Sequence, residues 1–333
     1  MLWKHCMSLK ATHNKGMEPY MRACNEMTEA PSSWTTGSEK LARTLFSQMA
    51  TIRRVEERLL QLFSEGLLNG TVHTCIGQEA CAVGVVNALA KSQDIIVSNH
   101  RGHGHFLAYC DDVEGLIGEL MGRSTGVCGG RGGSQHLHKN NFYSNGILGG
   151  TVPVATGMAF AEKQKHTGSI VTIFVGDGAM AEGVIYESLN IAALWELPIL
   201  FVVEHNGYAQ STPTHLEHAG RLEARAEPFA IPIRVLEASD PCSVYHAACE
   251  VVGGVRRECR PSLLFLKTYR LGPHSKGDET RHPSEVEEHR QRDPLALLRE
   301  KLDPAWREGV EAQITERVER AIAAAQQAPW AEL

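Results

Sequence analysis

The hydrophobic period of this chain changes repeatedly along its length, and that alternation leaves few folds open. Short apolar runs rich in β-branched residues occur at Ile95 to Val97, Ile170 to Val175, Ile199 to Val203, Ile231 to Leu236 and Leu263 to Leu266, with helical stretches between them. Runs of this length match strands buried on both faces, and the intervening segments are long enough to cross back as helices. The pattern predicts an α/β fold: a mainly parallel sheet with helices on both faces. With 333 residues, 43% of them hydrophobic and 22% charged, the chain can bury such a sheet.

The ends read differently. Residues 1–37 carry Met1, Met7, Met17, Met21 and Met27 among polar and turn-forming residues without apolar periodicity, as in a mobile tail. From Ser38, a plausible cap, Leu41, Leu45, Met49, Ile52, Val55, Leu59 and Leu62 recur at three- and four-residue steps until Gly66, giving an amphipathic helix. The main domain is expected over 38–302. Residues from about Ser284 read as helices, and Ile314, Val318, Ala321, Ile322 and Ala325 share one face of a C-terminal helix within 303–333.

A formal charge of −6 argues against nucleic acid or an anionic membrane as the main partner, because phosphate-rich surfaces attract a positive excess. The nine cysteines are dispersed, irregular and without a CxxC pair, which fits a reducing compartment. Apolar runs stay well short of the ~20 residues that span a bilayer, and the N-terminus lacks the apolar core of a signal peptide. These features place the expected location in the cytoplasm.

The segment Ile170 to Thr214 carries the most chemistry. A buried strand ends at Val175, Gly176-Asp177-Gly178 turns the chain into a helix running to about Trp195, and a second strand ends at Glu204-His205-Asn206-Gly207-Tyr208. Strand, helix and strand make one crossover unit. Asp177 and Asn206, 29 residues apart, therefore fall at the carboxyl ends of parallel strands, where open α/β sheets bind ligands. Asp177 offers a carboxylate oxygen, Asn206 an amide oxygen and Tyr208 a backbone carbonyl, a hard-oxygen set suited to magnesium, with diphosphate and water completing an octahedron. Gly176 and Gly178 permit close backbone approach, and the amides of Gly178 and Ala179 at a helix start would face an anion. Taken alone, Gly-Asp-Gly is a weak signal, better read as a plain strand-to-helix turn.

The joint pattern resembles the thiamine diphosphate signature, Gly-Asp-Gly followed by Asn-Asn, in the form used by α subunits of pyruvate, branched-chain 2-oxo acid and acetoin dehydrogenases. The likeness extends from about Leu41 to Leu302. Gly77-Gln78-Glu79-Ala80 is similar to the family's GQEA segment. His100-Arg101-Gly102-His103-Gly104 resembles its Tyr-Arg-x-His-Gly, which makes Arg101 the implied diphosphate ligand and puts His100 in the place of the tyrosine. Histidines 100, 103 and 105 are alternatively a transition-metal cluster, although their spacing matches no standard zinc pattern.

Cys128 to Ser134 is glycine-rich without the ending of a nucleotide P-loop, and resembles the family's GKGGSMH loop with Gln135-His136 for Met-His. Asn141 to Gly149 is similar to NFYGGNGIVG, which implies that Gly146 and Leu148 line the aminopyrimidine. Tyr269 to Asp278 resembles the active-site loop YRxxGHSxxD, which makes His274 the implied acid/base or anion-stabilising group and a cofactor contact. His205 departs from the usual Asn pair, while Asn206, the magnesium-binding member, is present.

The resemblance implies a thiamine diphosphate- and magnesium-dependent enzyme subunit that decarboxylates a 2-oxo acid and passes the acyl group to the lipoyl arm of an acyltransferase. It also implies a β subunit that supplies the activating glutamate, in a two-α, two-β heterotetramer. Loops 129–145 and 274–281 are expected to order over the cofactor. Two other readings stay open: a transferase of the acyloin or transketolase type, and a non-catalytic assembly subunit.

Overall fold

A computed structural model describes residues 36–68, 70–275 and 277–332. The expected N-terminal tail lies outside the described residues as far as position 35. Among the described residues there are nine strands: β1 (Ile95–Ser98), β2 (His138–Lys139), β3 (Phe142–Ser144), β4 (Val171–Gly176), β5 (Ile199–His205), β6 (Tyr208–Ala209), β7 (Thr212–Pro213), β8 (Ile233–Glu237) and β9 (Ser262–Lys267). Seven form one sheet in the order β2-β3-β1-β4-β5-β9-β8, and β6 and β7 form a separate hairpin. Neighbours in the large sheet run parallel except β2, which is antiparallel to β3.

The five expected strands are β1, β4, β5, β8 and β9. β8 begins at Ile233 rather than Ile231, because Pro232 has no N–H to give the ladder; Ile231 is buried just outside it. β2 and β3, at two and three residues, are too short to establish a period that sequence reading can detect.

Eleven helices are described: α1 (Thr36–Ser64), α2 (Glu79–Asn87), α3 (His103–Cys110), α4 (Val113–Leu120), α5 (Thr151–Lys165), α6 (Gly183–Leu194), α7 (Thr214–Glu217), α8 (Pro241–Glu258), α9 (Pro283–Arg290), α10 (Pro294–Glu300) and α11 (Pro304–Gln327). Ser38 does not cap α1, since the helix already includes Thr36. The anticipated apolar stripe is its buried face, and none of the described helices is long and apolar enough to cross a membrane.

The period of two in the central strands divides their side chains between two cores. On one face Phe174, Leu200, Val202, Leu264 and Leu266 pack with α1, α2, α3, α8 and α11. On the other, Val171, Ile173, Val175, Phe201, Val203 and Phe265 pack with α5 and α6. Each central strand is thus covered on both sides, which leaves its carboxyl end as the place where polar groups can gather. The C-terminal helix α11 contributes buried Val318, Ala321, Ile322 and Ala325 to the first of these cores.

Arg53 ties α1 to the first residue of α2 and to the residue that caps α10. Its guanidinium donates to Glu79 at 2.5 Å and in a fork to Asp293 at 3.0 Å on both oxygens. Glu79, fully buried, also accepts the Gly77 amide at 2.9 Å. Gly77 itself has φ of +94°, and a Cβ there would lie 2.6 Å from the Tyr269 carbonyl, so only glycine fits this turn.

Candidate functional site

β4 and β5 pair through Gly176 and Glu204, so Asp177 and Asn206 stand together just beyond the paired residues. Asp177 is buried. Its Oδ2 accepts from the Gly207 amide and from His205 Nδ1, each at 2.8 Å, and from Thr214 Oγ1 at 3.2 Å. Its Oδ1 accepts the Gly178 amide at 3.0 Å, which leaves a lone pair on that oxygen. Asn206 accepts from the Tyr208 amide at 3.1 Å and donates to Gln78 at 3.3 Å. The Tyr208 hydroxyl turns away to Glu285, at 2.8 and 2.9 Å from its two oxygens.

The segment after Gly176 differs from expectation. Gly178 and Ala179 open a short 3-10 turn over Gly178–Ala181, and the α-helix begins only at Gly183. The Gly178 amide is already held by Asp177, so the expected pair of free helix-start amides does not exist. The turn still serves close approach: a Cβ on Gly178 would sit 2.7 Å from that of Ala209.

A second group comes from the loop after β1. Arg101, 5% exposed, donates to the carbonyls of Thr74 and His274 and, at 3.2 Å, to His274 Nδ1. Around it stand three imidazoles, His73, His100 and His274, whose ring nitrogens lie within 4.8 Å of one another. Burial first, and then the Arg101 charge, lower His73 to about 3, His100 to about 2 and His274 to about 4. A cation would meet the guanidinium directly, so neutral rings presenting N–H groups beside Arg101 suit an anion better than a metal. The alternative cluster of His100, His103 and His105 does not form. His103 bonds Ser134 Oγ at 2.9 Å and faces Glu56, while His105 lies between Ser98 Oγ at 2.8 Å and Glu204 at 3.3 Å.

The low imidazole values carry a stability consequence with a definite sign. In the unfolded chain these rings take up protons near pH 6.5, while in the fold they remain neutral until about pH 4 or below. The unfolded state therefore binds more protons through this window, and stability falls as pH drops from about 7 towards 4. Urea midpoints at pH 7 and pH 5 check this; a higher midpoint at pH 5 would contradict it.

Asp177, Asn206, Arg101 and the three imidazoles open on one cavity of about 390 Å³, within the range of small-molecule sites. Every residue singled out from the sequence lines it: His100, Arg101, Gly146, Leu148, Gly176, Asp177, Gly178, Ala179, Asn206, Tyr208 and His274. Leu148 holds a φ of +53°, a left-handed backbone that costs of order 1–3 kcal/mol for a non-glycine residue and collects at functional sites. Sequence reasoning gave no site role to His73, Gln135, Glu182 and Glu217, which also line the cavity. His73, four residues before Gly77, was within reach of the GQEA segment. Glu217 follows the β6–β7 hairpin and carries no local signal.

Glu217 matters electrostatically. Its Oε2 is buried without a hydrogen bond, and the carboxyl is raised by burial and by Asp177, with His218 opposing. The spare Asp177 lone pair and the Asn206 amide oxygen are hard donors at two neighbouring strand tips, a pair that fits magnesium, and Glu217 lines the same cavity. Along the sheet the order β1-β4-β5 sets Arg101 beside Asp177, and Asp177 beside Asn206. A cavity with acid and amide oxygens at two strand tips and an arginine with imidazoles at the third accommodates a metal-bound diphosphate.

Fold and cavity together define a cofactor-binding α/β protein whose site is built from strand ends. The family model for the dehydrogenase E1 component matches residues 47–332, and the chain belongs to that family, which depends on thiamine diphosphate with magnesium. It is 39% identical over 285 residues to the pyruvate dehydrogenase E1 component subunit alpha of Zymomonas mobilis, covering 84% of this chain and 80% of that one. It is also similar to the acetoin:2,6-dichlorophenolindophenol oxidoreductase subunits alpha of Cupriavidus necator and Bacillus subtilis. The first is 40% identical, covering 86% of this chain and 91% of the relative; the second is 36% identical, covering 88% and 91%.

Proposed function

We propose that this chain is the α subunit of a two-subunit enzyme that cleaves the bond beside a ketone carbon, decarboxylating a 2-oxo acid and delivering the acyl group to a lipoyl acceptor. The observation that carries the reading is the single cavity in which Asp177 and Asn206 meet the Arg101 and His274 group. In it Asp177, Asn206 and the Tyr208 carbonyl would hold magnesium, with His100 and Arg101 on the diphosphate. Gly146 and Leu148 would lie along the aminopyrimidine, and the backbone of Gly176, Gly178 and Ala179 would come close to the diphosphate. Thiamine diphosphate, when bound, supplies the nucleophilic carbon and electron sink that the side chains lack. His274, neutral above about pH 4, can give or take a proton at its ring nitrogen during turnover.

The relatives are named alpha subunits, which supports a β partner, and the expected role of that partner is to supply the acid that activates the cofactor. An apolar strip fits its docking: Ile147, adjoining the cavity-lining Leu148, then Val154 and Phe160 on α5, and Leu194 and Trp195 at the end of α6, are all 40% exposed or more. We place the cofactor-binding body at 38–302, closed by the C-terminal helix, in a soluble cytoplasmic heterotetramer. A second substrate reading, acetoin, rests on the two acetoin oxidoreductase relatives.

Both are separated by one assay. The chain is purified with a β subunit, loaded with thiamine diphosphate and magnesium, and given pyruvate or acetoin with 2,6-dichlorophenolindophenol. Carbon dioxide release with dye reduction from pyruvate is the expected result, and dye reduction from acetoin alone moves the substrate to the second reading. Stoichiometric cofactor binding without turnover of either, or of longer 2-oxo acids, would contradict both.

A further inference from the structure

The glycine-rich loop 128–134 has the composition of a phosphate cradle, yet its amides are already committed. Glu119, at the end of α4 and 1% exposed, accepts from Cys128 N at 2.7 Å and Gly130 N at 2.9 Å on Oε2. On Oε1 it accepts from Gly132 N at 2.6 Å and Gly133 N at 3.1 Å. The chain thus fills its own anion nest with a buried carboxylate. Four charge-assisted bonds converging on one side chain fix the loop far more firmly than its glycine content suggests.

What the loop carries onward is Gln135. Ser134 is bonded to His103 at 2.9 Å, and the Gln135 carbonyl accepts from Ser144 Oγ at 2.8 Å, so the backbone is held on both sides. The Gln135 side chain enters the cavity, where its Nε2 donates to His73 Nδ1 at 3.4 Å and its Oε1 lies against Gly146, leaving no room for a Cβ there. A donor at Nδ1 leaves the proton of the neutral His73 ring on Nε2.

We infer that Glu119, which lies outside the cavity, is a positioning residue: by clasping the glycine-rich loop it places Gln135 between His73 and Gly146, and Gln135 sets the tautomer of His73. The assignment rests on the reading of this cavity as the cofactor site.

The test uses the α/β assembly with Glu119→Gln, Glu119→Asp, Gln135→Ala, Gln135→Met and the Glu119→Gln/Gln135→Ala pair. Thiamine diphosphate affinity of the unaltered assembly is measured first; absent binding there refutes the cavity reading and leaves the loop assignment to the proteolysis arm. In that arm, trypsin cleavage after the exposed Arg131 should accelerate about tenfold in Glu119→Gln, stay slow in Glu119→Asp, and be unchanged in both Gln135 variants. In the kinetic arm, Gln135→Ala and Glu119→Gln should each lower kcat about tenfold with little change in substrate KM. The pair should be no worse than either alone, because both remove the same contact. Additive losses in the pair, or wild-type kcat in Gln135→Ala, would overturn the assignment; the latter decides it even if Glu119→Gln does not fold.

Discussion

Replacing Asp177 by alanine is expected to weaken magnesium-dependent binding of thiamine diphosphate by about 100-fold or more, since metal sites lose at least that much when an anionic ligand is removed. The same carboxylate accepts from His205, Gly207, Thr214 and Gly178. Its loss therefore also strands buried donors, at a cost of about 1–3 kcal/mol for each left unsatisfied. Asp177→Asn separates the two effects: it keeps an acceptor for the hairpin amides and removes the charge. Calorimetry should show cofactor affinity lost in both variants and thermal stability lost mainly in the alanine one. Unaltered affinity in Asp177→Asn would mean that the metal binds elsewhere.

His274→Ala is expected to keep cofactor affinity within a few fold while lowering kcat by about 10²- to 10⁴-fold, the range of a positioned acid or base. Two features support the split. Arg101 keeps its bonds to the carbonyls of Thr74 and residue 274, which alanine retains, so the diphosphate end of the cavity is preserved. The imidazole itself is held near pKa 4, so it is neutral across the working range, and its protonation should not appear as a loss of activity between pH 6 and 8. His274→Gln, which retains an N–H donor, should recover part of the activity if the ring only donates a hydrogen bond, and none if it transfers a proton. Wild-type turnover in His274→Ala would remove the residue from the mechanism.

Much of this site was legible because its chemistry is coupled to chain period. β4 and β5 are long enough to show a buried run, and a ligand at a strand tip is fixed once the strand is fixed. Asp177 and Asn206 thus followed from where the apolar residues stop. Arg101 and His274 were legible only through the resemblance of the segments after β1 and β9 to the family's motifs.

What escaped reading was set by tertiary contact. His73 precedes no strand, and reaches the cavity only because Arg101 holds the Thr74 carbonyl and Glu56 holds the Cys75 amide, at 2.8 and 2.9 Å from its two oxygens. Glu217 arrives through a two-strand hairpin with no periodic signature. The expected helix start at Gly178 failed because Asp177 competes for the first amide and tightens the turn. The glycine-rich loop looked free to move, and only the placement of Glu119 shows its amides engaged.

In the proposed enzyme Asp177 and Asn206, at two neighbouring strand tips, share one divalent ion. Crystals of the α/β assembly grown with thiamine diphosphate and manganese in place of magnesium would report it through the anomalous signal of the metal. A single peak within about 2.0–2.3 Å of Asp177 Oδ1 and the Asn206 amide oxygen, with diphosphate oxygens in the remaining positions, is the expected result. A peak beside His73, His100 and His274, or diphosphate bound with no metal between these two side chains, would contradict it.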